Sequence, residues 1–155
     1  MTTLAEVRLW GRTIGAVSLA EGAAHAAFEY DPAFAQSGIQ ISPLTMPLGD
    51  RIYTFPELAT RSFHGLPGLL ADSLPDRFGN ALIDAWLATQ GRAPDSFNPI
   101  ERLCYTGARG MGALEFAPSI GGDISPRGKI SLCRTCWKSR IRLPWWTACR
   151  LRSHS

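Results

Sequence analysis

No lysine occurs among residues 1–118, and a single acidic residue, Asp123, occurs among residues 119–155. The first absence removes the lysine with which a P-loop reaches the terminal phosphates of a nucleotide, so residues 1–118 hold no site of that type. No apolar run approaches the roughly 18 residues that a membrane-spanning helix needs. The start, Met1-Thr2-Thr3-Leu4-Ala5-Glu6-Val7, lacks the basic patch followed by an apolar stretch that marks a secretory signal. A cytoplasmic location and no membrane partner are the resulting expectations.

What is present divides near Pro118-Ser119. Residues 1–118 carry 8 arginines against 12 acids, a balance of −4, whereas residues 119–155 carry 8 basic residues against Asp123, a balance of +7. Cys133, Cys136 and Cys149 fall in the second region with Trp137, Trp145 and Trp146, leaving Cys104, Trp10 and Trp86 in the first. An abrupt shift of charge and composition marks a boundary, and Gly121-Gly122 and Pro126-Arg127-Gly128 supply breakers just beyond it. The expectation is one domain over residues 1–118 and a basic Cys/Trp/Arg-rich tail over 119–155, disordered or the product of out-of-frame translation. At 45% apolar and 19% charged, the chain as a whole is globular in composition.

Glu6-Val7-Arg8-Leu9-Trp10 alternates with period two, and Thr13 to Leu19 resumes a strand pattern after Gly11-Arg12, which predicts a hairpin. Gly11 can take the positive φ at the first central position of a type II′ turn, with Arg12 second. Ala26 to Tyr30 reads as a third strand with Phe28 and Tyr30 on one face, in a meander. Asp31-Pro32 opens a short helix through Ala33, Phe34 and Ala35 that Gly38 ends, and the proline-interrupted stretch Ile41 to Leu48 is expected to run along a sheet edge.

Phe63, Leu66, Leu69 and Leu70 have helical spacing, limited to a turn or two by Gly65, Pro67 and Gly68. The main helix should follow Pro75-Asp76, burying a stripe of Phe78, Leu82, Ala85 and Trp86 and stopping at Gly91. Asn98-Pro99-Ile100-Glu101 combines a cap side chain, a first-position proline and a glutamate placed for a capping box, so a second helix starts there and carries Ile100, Leu103 and Cys104 inward. A strand from Ala113 to Phe116 closes the region. The fold class is α+β: a small, mostly antiparallel sheet, hairpin and meander plus a C-terminal strand, packed with two to four short helices.

Three features bear on chemistry. The glycines of Gly107-Ala108-Arg109-Gly110-Met111-Gly112 could cradle an anion, but a dinucleotide fingerprint runs from strand into helix and this loop runs from helix into strand, which favours a structural turn. Asp72, Ser73, Asp76 and Arg77 could serve acid–base work, yet with only His64 nearby as a base, the cluster is better explained by helix-start chemistry, for which Asp72, Ser73 and Asp76 are the suitable residue types. His25 and His64 read as surface or satisfied side chains. In the tail, Cys133, Cys136, Cys149 and His154 have a spacing that could hold a tetrahedral zinc, and the tail's cations and tryptophans could contact nucleic acid, against the plainer reading of a solvated terminus.

The ordered series Val7 to Gly15, Phe28-Glu29-Tyr30-Asp31, Pro43 to Leu48, Phe63 to Asp76 and Gly107 to Leu114 resembles the N-terminal subdomain of HipA-family toxins, the serine/threonine kinases of bacterial type II toxin–antitoxin systems. The resemblance covers Met1 to Pro118. It implies a non-catalytic module that docks on or regulates a kinase domain, since the phosphate loop, catalytic aspartate and magnesium ligands of such proteins belong to a separate domain of which nothing matches here. No cofactor is expected. The implied partners are a HipA-like kinase domain and a HipB-like helix-turn-helix antitoxin, with DNA met only through the antitoxin. The segment around Phe63, Leu66, Leu70, Asp72, Pro75, Asp76 and Arg77 is the expected interaction surface. A truncated toxin, a standalone antitoxin-like subunit of a split three-component system, and a zinc- or nucleic-acid-binding protein acting through the tail are the functional readings.

Overall fold

The computed structural model describes residues 2–110 and 112–118. Strand β1 (Thr2–Leu9) turns into β2 (Arg12–Ala20), and the two pair antiparallel with Leu9 opposite Arg12. The turn therefore centres on Trp10 and Gly11, one residue earlier than the pattern suggests. Both have positive φ, 49° and 75°, the signature of a type I′ turn rather than type II′, and its twist matches that of the strands it joins.

Ile14 and Val17 are both fully buried although three residues apart, which strict alternation forbids. A bulge resolves this: Val7 faces Gly15 and Arg8 faces Thr13, so Ile14 is an extra residue that resets the phase. At Gly15 a side chain would collide with the Glu29 carbonyl and the Phe28 ring, so glycine allows β3 (Ala27–Tyr30) to close against β2. Phe28 and Tyr30 share the buried face, with ring centroids 5.0 Å apart edge to face. The Asp31 carboxylate accepts from the N–H groups of Ala33 and Phe34 at 2.9 and 3.1 Å, starting the one-turn helix α1 (Pro32–Ala35).

The edge beyond β3 is β4 (Ile52–Tyr53), not the stretch Ile41 to Leu48. Prolines at 43 and 47 offer no N–H to a ladder. That stretch bends instead, with Met46 N–H donating to the Ser42 carbonyl at 2.8 Å, and two tyrosines pin it to the sheet. The Tyr30 hydroxyl donates to the Met46 carbonyl at 2.7 Å, and the Tyr53 hydroxyl to the Pro47 carbonyl.

Two single turns, α2 (Thr60–Phe63) and α3 (Gly68–Ala71), lead to α4 (Arg77–Thr89), then a 3-10 turn (Pro94–Ser96), α5 (Pro99–Thr106), a second 3-10 turn (Gly107–Arg109) and β5 (Leu114–Pro118). The helices are short, as expected, and among the described residues number five α-helices rather than two to four, because α2 and α3 divide the stretch around Phe63 to Leu70. The antiparallel sheet has the order β4-β3-β2-β1-β5: a four-strand meander with β5 returning beside β1. The α+β class holds. Ala5, Val7, Val17, Phe28 and Phe116 line one sheet face and pack against Leu66, Leu70, Ile100 and Leu103. Helix α5 is seated by its capping box: the Asn98 side chain accepts from Glu101 N–H at 2.9 Å, and the Glu101 carboxylate accepts from Asn98 N–H at 2.8 Å. Asn98 Nδ2 also donates to Thr3 Oγ1 at 2.7 Å, tying the helix start to β1.

A second, smaller core holds α4: Ile83, Leu87 and Phe97 are buried, with Trp86 and Tyr105 packed against them. This corrects the expected stripe. Trp86 faces inward, but Phe78 is 70% and Leu82 54% exposed, and Ala85 is exposed as well. The helix is rotated because Arg102 of α5 grips the other side, donating to Asn80 Oδ1 at 2.7 Å, Asp84 Oδ1 at 3.0 Å and the Pro94 carbonyl at 3.1 Å. Among the described residues no helix is long and apolar enough to cross a membrane.

Candidate docking surface

The segment expected to meet a partner is dispersed by the fold. Leu66 and Leu70 are core side chains, 1% and 0% exposed, and present no surface. Phe63 closes α2 half-buried. Asp76 is committed to the start of α4, its carboxylate accepting from Gly79 N–H at 2.7 Å, while the Pro75 carbonyl accepts from Asn80 Nδ2 at 2.8 Å. Asp72 lies at the C-terminal end of α3, and Ser73 N–H donates to the Leu70 carbonyl, so of the three residues read as helix-start groups only Asp76 acts as one. Asp72 and Arg77 are exposed.

Asp72 does have an apolar neighbourhood. With Ser73 it borders a groove of about 460 Å³ whose walls include Leu9 and Trp10 of the first hairpin, Ile39 and Ile41 from the segment after α1, and Leu69 of α3. Trp10 stands 80% exposed at the turn, and Ile39 is about half exposed. An indole exposed to solvent on a residue whose φ is 49°, a conformation unusual for a bulky residue, is a feature that packing of this domain does not require. Period-two reading placed Trp10 at the end of a strand and carried no sign of this; the position of the turn would have given it.

The glycine loop forms the 3-10 turn between α5 and β5, and Gly107, at φ 58°, ends α5 with its N–H on the Leu103 carbonyl. Cys104 packs against the main core, and burial followed by the charge of Glu101 pushes its thiol up to about 12, which keeps it protonated at neutral pH. His25 is half-buried and His64 exposed, the latter closing α2 in a left-handed conformation. Among the described residues no three His, Cys, Asp or Glu side chains are grouped to hold a metal. Cys133, Cys136, Cys149 and His154, and the basic tail as a whole, lie outside the described residues.

Sheet and helices together define a small α+β domain built on one antiparallel sheet. Comparison with protein families gives the match: the profile described as HipA N-terminal domain covers residues 5–117. The chain belongs to the HipA N-terminal domain family, and within these 155 residues no kinase domain is detected. No curated protein matches the chain.

Proposed function

We propose that the chain is a non-catalytic docking module of a HipA-type toxin–antitoxin system, engaging a HipA-type kinase domain through the groove beside Trp10 and Asp72. The observation that supports this is the groove itself, where an exposed indole and an apolar wall stand beside a carboxylate. Aromatic anchors in apolar pockets with a polar rim are the parts from which protein interfaces draw most of their energy. Membership of the family supports the partner class of this reading: a HipA-like kinase domain, a HipB-like helix-turn-helix antitoxin, or both, with DNA met only through the antitoxin. Whether the module serves as a toxin remnant or as the small subunit of a split system, the docking surface is the same.

Isothermal titration of the full chain into a HipA-type kinase domain tests this. A saturable complex is expected, weakened at least tenfold by Trp10→Ala and left intact by substitution of Glu57, an exposed residue outside the groove, in Glu57→Ala. Absence of binding, or equal binding by the Trp10 variant, would overturn it. Phosphate release from ATP by the chain alone would contradict its non-catalytic character.

A further inference from the structure

Among the described residues, the outward face of α4 is a second surface that nothing covers, separate from the groove. At 100° per residue, Phe78, Ala81, Leu82, Ala85, Ala88 and Thr89 fall within an arc of roughly 120° opposite Ile83 and Leu87. All six are exposed and none is charged. A solvated helix face ordinarily carries charges; here the two in the helix lie at the arc's margin, Arg77 at its start and Asp84 turned toward Arg102.

Along the helix this face is graded, bulky at the N-terminal end and small at the C-terminal end. That gradient is self-complementary when two such helices lie antiparallel. A two-fold axis between Leu82 and Ala85 sets Leu82 against Ala85 of the second copy, and Phe78 against Thr89 of the second copy. Each large side chain then meets a small one, as an isologous contact requires. The same register brings Arg77 to the C-terminal end of the other helix. On its own helix Arg77 occupies the first position, beside the positive pole; in the antiparallel pair it faces the negative pole of its neighbour.

We propose that the chain associates with a second copy through antiparallel packing of α4 on α4. One Phe, one Leu and a few small residues on a single helix fall well short of the roughly 800 Å² per partner of a standard interface, so the pair is reversible and concentration-dependent. The proposal is independent of the groove reading, since the two faces use different residues.

Sedimentation velocity of the full chain under reducing conditions, across a concentration series, gives the test. The wild-type weight-average mass is expected to climb toward that of a dimer, while Ala85→Glu and Leu82→Lys, both exposed substitutions that leave the thermal melt unchanged, each stay monomeric. Mixing those two variants in equal amounts restores a dimer, because the introduced ammonium of one chain meets the introduced carboxylate of the other across the axis while the other half of the contact is native. A mixture that stays monomeric overturns the register. Association unaltered by Ala85→Glu overturns the surface, as does an Ala85→Glu chain that instead loses kinase-domain binding, since the face would then belong to that partner.

Discussion

Trp10 occupies a backbone conformation that glycine and asparagine adopt readily, at a position where its ring meets solvent rather than core. Such placement lowers stability, because a left-handed φ on a bulky residue is strained and no burial offsets it. Trp10→Asn relieves the turn and is expected to raise unfolding free energy by about 1 kcal/mol in urea denaturation. The same variant is expected to lose kinase-domain binding. A gain in stability coupled to a loss of affinity separates a residue kept for a partner from one kept for folding. If stability fell instead, the indole would have a packing role within the domain.

Among the elements, α5 depends most on its first residues. Asn98 caps the helix, receives Glu101 in return and reaches Thr3, so one side chain fixes both the helix start and its docking on β1. Asn98→Ala is expected to destabilise the domain by about 1–2 kcal/mol, read as a shift in denaturation midpoint, with Asn98→Ser recovering part of it. That helix was legible because its signals are local: cap, proline and glutamate act within one turn. The inner side of α4 was not. Phe78, Leu82, Ala85 and Trp86 do share helical spacing, but periodicity defines a stripe without saying whether core or solvent lies beyond it. Here Ile83 and Leu87, together with Arg102 on the following helix, decided the rotation. The groove was illegible for a related reason, since it joins a hairpin turn, a loop and a one-turn helix that only the tertiary fold brings together. The bulge at Ile14 likewise shows in the sequence only as a strand whose apolar residues break phase.

For the whole molecule, the main core draws on residues from Ala5 to Phe116, and the family match runs over nearly the same span. A fragment of residues 1–118 is therefore expected to stay soluble and to melt in one cooperative transition, measured by circular dichroism and calorimetry. Loss of cooperativity would mean that residues beyond 118 contribute to the fold.

The return of β5 to the side of β1 carries a consequence for how the chain is made. Strand β1 leaves the ribosome well before β5, and its outer edge finds no partner until residues Leu114–Pro118 have been synthesised. For the whole interval an unpaired strand edge stands open to other nascent chains, the exposure that non-local pairing imposes. Termination upstream of Leu114 would yield a protein with an open sheet and a tendency to aggregate. A change of reading frame downstream of Pro118 would leave the sheet closed. The point at which the last edge is sealed thus sets how much sequence may vary after it without harm to folding.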